Sequence, residues 1–356
     1  MEQRYRGHRA NDDCYENENR TSKKRTWRGG GGGGLRAPAG HGSSRLRHLL
    51  SDGLSADQLM KTATLLPELT SAGSIPSAST AFGCPRDFLD NCFVYTVVSA
   101  RAGGLSVGVN VNPDKHCDFD CAYCEVNRDE PPRATRLDVG IMAGELEHTL
   151  DLVHSREIRA RPCYRNLSDE LLKLRHVALS GDGEPTLCPE FGEATEAVVH
   201  LRARGRFPFF KLVLITNASG LDEPVVQEGL RLFTPRDEVW AKLDAGTRDY
   251  MDRVNQPGCA LEKILANILG LARQRPVIVQ SLFPMLDGLE PPESEIEAYA
   301  QRLKELKNNG AHIQFVQIYS ATRPTPHSAC GHLPLRSLSR IARRVRTVTG
   351  LTAEVF

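Results

Sequence analysis

The sequence predicts an α/β fold in which parallel strands alternate with helices, a partial (β/α)6 TIM-like barrel behind a disordered N-terminal extension. Three observations predict it. From about residue 100, short apolar runs rich in branched residues alternate with longer amphipathic ones. The order is strand then helix, six times over, and helical crossovers imply parallel strands. Residues 1–81 break the pattern with six consecutive glycines, Gly29 to Gly34, and a Ser/Ala/Pro-rich stretch, "TSAGSIPSASTAFG".

The strands read "LSVGVNV" (105–111), "HVALSG" (176–181), "KLVLITN" (211–217), "EVWAKLD" (238–244), "VIVQSLF" (277–283) and "IQFVQIYS" (313–320). The helices between and after them read "MAGELEHTLDLVHSR", "EFGEATEAVVHLRARG", "EPVVQEGLRLF", "LEKILANILGLARQR", "ESEIEAYAQRLKELKNNG" and "RSLSRIARRVRTVTG". Gly310 and Gly350 supply stops for the last two. Right-handed crossovers build either a doubly wound layer or a barrel. A full eight-stranded barrel needs two more units than the sequence offers, so six units predict a partial one. In either architecture a ligand meets the C-terminal ends of the strands.

The glycine run gains too little from burial to offset its backbone entropy, which predicts a disordered segment over 1–81 and a folded domain over 82–356. A short helix around "SADQLMKTATLL" is the one element expected within the extension. Residues 1–50 carry 11 Lys/Arg against 5 Asp/Glu, and the rest carries 34 against 39. The folded part is therefore mildly acidic, and no global basic field draws it to nucleic acid. No apolar run reaches the roughly 18 residues of a membrane span. The first 30 residues lack the apolar stretch of a secretory signal. A cytoplasmic protein with reduced thiols is expected.

Of ten cysteines, three cluster tightly in "HCDFDCAYCEV" (116–126): Cys117, Cys121 and Cys124, spaced C-x3-C-x2-C after the first strand. Three readings compete. A structural zinc needs four ligands and would have to recruit His116 or Cys163. A redox pair would use Cys121 and Cys124 and leave Cys117 idle. An iron–sulfur cubane held by three thiolates keeps one iron open for a substrate or cofactor. A second motif, "SGDGEP" (180–185), ends the second strand, with Gly181 and Gly183 allowing close backbone approach, followed by Glu184 and Pro185. Its alternative is a plain strand-ending turn. Thr216 and Asn217 end the third strand. Lys242 and Asp244 end the fourth and share a face. Gln280, Ser281, Gln317 and Tyr319 are further polar groups on the fifth and sixth strands.

"CDFDCAYC" resembles the C-x3-C-x-(aromatic)-C signature of the radical S-adenosylmethionine (SAM) enzymes. "GDGEP" is similar to their GGE-type motif, with Asp182 inserted between the glycines. The resemblance spans roughly residues 100–320. It is nearest to the Fe–S oxidoreductase group that includes the wyosine tRNA-modifying enzymes, through "SLFPMLDGLEPPESEIEAY" and "AKLDAGT".

The resemblance implies a partial (β/α)6 barrel of radical SAM type and a [4Fe–4S] cluster on Cys117, Cys121 and Cys124. SAM would chelate the fourth iron, beside Tyr123 and against Gly181, Gly183, Glu184, Thr216, Asn217, Lys242, Asp244 and Ser281. Reductive cleavage of SAM would give a 5′-deoxyadenosyl radical that takes hydrogen from a substrate, either a small molecule, tRNA or protein. A flavodoxin or ferredoxin would supply the electron. Lys242 is also a candidate Schiff-base amine. The sequence departs from the wyosine enzymes, whose second cluster uses three widely spaced N-terminal cysteines; only Cys84 and Cys92 lie near that position, too close together. A wyosine-like tRNA enzyme and a zinc-stapled, non-redox binding protein are the alternatives. "HSACGH" (327–332) offers His327, Cys330 and His332 as a minor metal motif beside the reading of an incidental loop.

Overall fold

The computed structural model of the protein describes residues 88–323, 325 and 329–356. The extension over 1–81, Cys84 and His327 lie outside the described residues.

Ten strands are described: β1 (Val94–Ser99), β2 (Gly104–Asn110), β3 (Leu174–Ser180), β4 (Lys211–Thr216), β5 (Glu238–Lys242), β6 (Val277–Leu282), β7 (Pro284–Leu286), β8 (Ile313–Tyr319), β9 (Cys330–His332) and β10 (Ala353–Val355). The helices are α1 (Val139–His154), α2 (Phe191–Ala203), α3 (Pro224–Arg231), α4 (Arg248–Val254), α5 (Leu261–Ala272), α6 (Glu293–Asn308) and α7 (Leu335–Thr349). One eight-stranded sheet runs β1-β2-β3-β4-β5-β6-β8-β10, and β7 pairs with β9 separately. The six strands expected from sequence are β2, β3, β4, β5, β6 and β8, adjacent in that order and all parallel. β1 adds an antiparallel edge and β10 a parallel one.

Side-chain parity assigns the two faces. Val107, Val109, Val177, Leu179, Leu212, Leu214, Val277 and Val279 pack in the large cluster that also holds the buried residues of all seven helices. Among the described residues the opposite face carries a small cluster, Ala178, Val213, Trp240 and Ile278. The seven described helices therefore lie on one face, unlike a doubly wound layer.

The sheet is curled. Arg101, in the turn before β2, places its guanidinium carbon 4.0 Å from the centroid of the Tyr319 ring at the end of β8. Those strands are five neighbours apart in the sheet, about 24 Å if it were flat, far beyond one side chain's reach. The sheet nonetheless stays open, because its edge strands β1 and β10 do not pair.

Helix ends follow their capping residues. The Asp138 side chain accepts the Ile141 N–H, so α1 starts three residues before the expected Met142. Gly350 ends α7 in left-handed conformation at φ 67°. Among the described residues no helix is long and apolar enough to cross a membrane.

Candidate functional site

The cysteine loop follows β2 and lies across the C-terminal ends of its neighbours. Its first anchor is the β3 turn. The Glu184 N–H donates to the His116 carbonyl at 2.9 Å. A Cβ on Gly183 would stand 1.9 Å from that same oxygen, and one on Gly181 would stand 2.1 Å from Asn110 Oδ1. Both glycines of the motif are thus required by the chain packed against them, not by a turn alone. The second anchor is the segment after α4. Ala122 N–H donates to Val254 O at 2.8 Å, Asp120 N–H to Asn255 O at 3.0 Å, and Gly258 N–H to Asp118 O at 2.7 Å. The third is Asn217, whose Nδ2 donates to Asp118 Oδ1 at 2.8 Å.

Glu184, Thr216 and Asn217 are brought together. Glu184 accepts from Thr216 Oγ1 at 2.5 Å, from the Asn217 N–H at 2.7 Å, and from Thr186 through its N–H and hydroxyl. The carboxyl is buried, which pushes its pKa up against those donors. It braces β3 to β4. Ala218, the next residue, has φ 69°, and Gln256, in the segment beside the loop, has φ 42°. Both segments that hold the site thus carry strained backbone.

Lys242 and Asp244 also meet, with Nζ 3.6 Å from Oδ2, and their side chains are 17% and 2% exposed. Asp244 is a junction. Its Oδ1 accepts the Leu282 N–H at 2.8 Å, and its Oδ2 accepts from the Tyr123 hydroxyl and from Asn255 Nδ2. Tyr123 is buried, and one face of its ring carries the Lys242 ammonium 4.6 Å from the centroid. Burial and the Asp244 charge hold the Tyr123 hydroxyl well above its ordinary range. Burial opposes the Lys242 charge, but Asp244, with help from Tyr319 and Cys121, raises its pKa overall.

Asn255 was invisible to sequence reasoning. Its Nδ2 reaches Cys121 Sγ at 3.4 Å, the Tyr123 hydroxyl at 3.1 Å and Asp244 Oδ2 at 2.9 Å. It follows a seven-residue helix and reads in sequence as a turn residue. Ser281 is not brought to this group. Its hydroxyl donates to Leu243 O and pairs with Tyr299 on α6, on the helix side of the sheet. Gln280, one position earlier, faces inward and donates to Gln317 at 2.9 Å. Cys163 packs in a separate apolar cluster with Tyr164 and Leu105. His332 on β9 pairs with the Ala321 carbonyl.

Cys117, Cys121 and Cys124 are free, half-buried thiols. Among the described residues no three His, Cys, Asp or Glu side chains converge closely enough to hold a metal ion, so the three do not meet at one point. Single contacts suit sulfur held as thiolate, since the Phe119 N–H donates to Cys117, Asn255 donates to Cys121, and the Lys242 charge favours the Cys121 thiolate, but in the unligated thiols burial outweighs them. Burial, reinforced by Glu184 and Cys121, pushes Cys117 up to about 12. Burial and Asp244 push Cys121 up to about 11, against Lys242 and Asn255.

No protein-family model matches the chain. In sequence it is similar to UPF0026 protein slr1464 of Synechocystis, 29% identical over 246 residues, which is 65% of this chain and 77% of that protein. It is 27% identical to a UPF0026 protein of Helicobacter pylori strain J99 over 220 residues, 60% of this chain and 62% of that one. The chain resembles the UPF0026 proteins in sequence and the radical SAM enzymes in motif. Among solved structures, Streptococcus suis SuiB bound to S-adenosylmethionine matches at TM-score 0.47 and 14% identity, over 72% of this chain and 52% of that chain. TYW1 with a lysine–pyruvate adduct matches at TM-score 0.45 and 16% identity, over 72% and 84%. The chain therefore spans about half of SuiB and less than two thirds of the Helicobacter relative.

Proposed function

We propose that the chain is a radical SAM enzyme acting at the C-terminal ends of β2–β6, on the inner face of a partial (β/α)6 barrel. The observation that carries this reading is the Asn255–Asp244 junction. It ties Cys121 and Tyr123 of the cysteine loop to Lys242 at the end of β5. Cys117, Cys121 and Cys124 would hold a [4Fe–4S] cluster. The Gly181–Glu184 turn, Thr216, Asn217 and the Lys242–Asp244 pair would hold SAM. When bound, such a cluster supplies reductive cleavage of the SAM sulfonium to a 5′-deoxyadenosyl radical that takes hydrogen from substrate.

The chain's own residues orient and shield. N–H groups of Phe119 and Asn255 stabilise sulfur charge, and Phe119 and Tyr123, both buried, exclude water from the loop's inner side. A Schiff-base lysine needs a depressed pKa. Lys242 has a raised one, with Asp244 beside it. It therefore serves as a fixed cation rather than a nucleophile, and borohydride trapping with carbonyl substrates is expected to leave it unmodified. A low-potential flavodoxin or ferredoxin is the proposed electron donor. The substrate is a small molecule, a tRNA or a protein.

The test is anaerobic reconstitution with iron and sulfide, dithionite reduction and assay for 5′-deoxyadenosine. Cys121→Ala is expected to lose both the brown chromophore and the product. Wild-type yield from that variant, or a single zinc in the purified protein, sinks the reading. Retention of tRNA on the reconstituted protein would narrow the substrate toward a wyosine-like role.

A further inference from the structure

The inner face of the sheet holds a cation that nothing among the described residues neutralises. Arg101 lies half-buried in the β1–β2 turn with its guanidinium stacked on the Tyr319 ring, 4.0 Å from the centroid. Among the described residues it makes no hydrogen bond and no ion pair, and its Nε is sealed from water without an acceptor. Comparable arginines are paired: Arg202 with Asp237, Arg159 with Asp169 and Arg175 with Glu170. A buried N–H without an acceptor is costly and rare.

Two further groups point to the same place. Lys242 Nζ lies 3.4 Å from the Tyr319 hydroxyl and 5.8 Å from its ring centroid, so two cations share one tyrosine. Asp244 neutralises Lys242 and leaves Arg101 unmatched. Gln317, two residues before Tyr319 and on its face, is fully buried. Its Oε1 accepts from Gln280, while its Nε2 has no partner among the described residues. Arg101 and Gln317 are donors in want of an acceptor, on the β8 side of the inner face.

We infer that this place is a subsite for an anionic group of the substrate, a carboxylate or a phosphate, with Arg101 as its cation and Gln317 as a second donor. The inference rests on reading the inner face as the reaction site. A guanidinium matches the two oxygens of either anion with parallel hydrogen bonds. The group is assigned to substrate rather than to SAM because three of the residues given to SAM, Glu184, Thr216 and Asn217, gather around each other and Asp118 at the ends of β3 and β4, and Lys242, which borders both places, already has Asp244 as its counter-ion. The subsite faces them from the opposite flank of the curled sheet.

The test uses the full chain, reconstituted anaerobically, with and without SAM. Phenylglyoxal modification with peptide mass mapping reads Arg101 directly, and Arg236, stacked at the surface on Phe209 at 4.2 Å, serves as the control. The probes are inorganic phosphate, acetate and pyruvate. Protection of Arg101 but not Arg236 by any of them is the expected result; acetate or pyruvate alone assigns a carboxylate, and phosphate alone a phosphate ester. Calorimetry with the protecting anion should show Arg101→Gln binding about tenfold more weakly, the loss of one charge-assisted bond. Absence of protection by every anion, full protection by SAM alone, or unchanged affinity in a folded Arg101→Gln protein overturns the inference. Should that variant not fold, the wild-type protection pattern decides. Anion protection without SAM cleavage would sink the proposed function and leave the subsite; SAM cleavage without protection would do the reverse.

Discussion

Replacing Gly183 by alanine strikes the joint between the cysteine loop and the β3 turn. The added methyl would stand 1.9 Å from the His116 carbonyl oxygen and 2.7 Å from both the His116 carbonyl carbon and Asn112 Cβ. The nearest obstacle is backbone, so no side-chain rotation relieves it. The loop must withdraw by roughly 1 Å, and overpacking of this kind costs about 1–3 kcal/mol. The Glu184 N–H bond to His116 O, now 2.9 Å, lengthens with it, and its loss adds about 1 kcal/mol. Urea unfolding should therefore report a destabilisation of about 2–4 kcal/mol. The displacement falls on Cys117, the next residue, so iron and sulfide per chain after reconstitution should also drop. Gly144→Ala is the matched control. It lies exposed on α1 with nothing within 4 Å of the new methyl, and it should gain about 0.5–1 kcal/mol with unchanged iron. If Gly183→Ala matches wild type in both urea midpoint and iron content, the loop is not seated on that turn and the reasoning fails.

Two further perturbations probe the frame that carries the site. Asp237 is buried between α2 and β5, paired with Arg202 at 2.6 and 3.0 Å and accepting the Leu212 N–H at 2.7 Å. Asp237→Ala leaves Arg202 buried without its partner and should cost about 3–5 kcal/mol in urea unfolding; a loss below about 1 kcal/mol would mean the pair is solvated. His176, on β3, pairs with Ser106 at 2.8 Å and stands edge-on to Trp240. Burial, then the charges of Lys211 and Arg101, depress its pKa from 6.5 to about 3. The unfolded chain thus binds a proton that the folded one refuses. Stability from this group is complete above pH 6.5 and lost as pH falls from there toward 3, by about 1.4 kcal/mol per pH unit. Wild type should lose stability relative to His176→Gln across that window, and parallel stability curves between the two would refute the burial argument.

The strands were legible because each is a short apolar run bounded by turn residues, and the parallel order followed from the helices between them. What the sequence hid has physical causes. β2 and β6 are buried along their whole length. A strand buried on both sides does not announce which parity faces the helices, so the sequence could not tell that Ser281 pairs with Tyr299 on the helix side while Gln280 faces inward. β10 and α4 have three and seven residues, too few for a period to register. β1 is an antiparallel strand of six residues before the first β/α unit, and the alternation of strand and helix gave no reason to expect it. At the site, the motif positions stood out in the sequence: Cys117, Cys121, Gly183, Asp244. Their restraints were not. Asn255 and Arg101 act through distance in space, and each sits in sequence among ordinary turn residues.

That contrast bears on how the site is built. The cysteine loop has little regular structure of its own, and its order is borrowed. Gly183 and Glu184 come from the second β/α unit, Asn217 from the third, and Asp244 and Asn255 from the fourth. Contacts of such long sequence separation form only after the intervening chain has paid its loop-closure entropy. The anchored positions of the loop are therefore reached only when β2 through β5 are already paired. Asp244 makes the coupling tight, because one carboxylate simultaneously takes Tyr123 of the loop, Asn255 behind it, Lys242 on its own strand and the Leu282 N–H of the next. Removing any one partner leaves the others a buried charge with fewer donors, and so shifts all of them. Misassembly of a neighbouring unit would thus be felt at Cys121 before any ligand arrived, and a loop placed this way forms on a folded sheet rather than nucleating one.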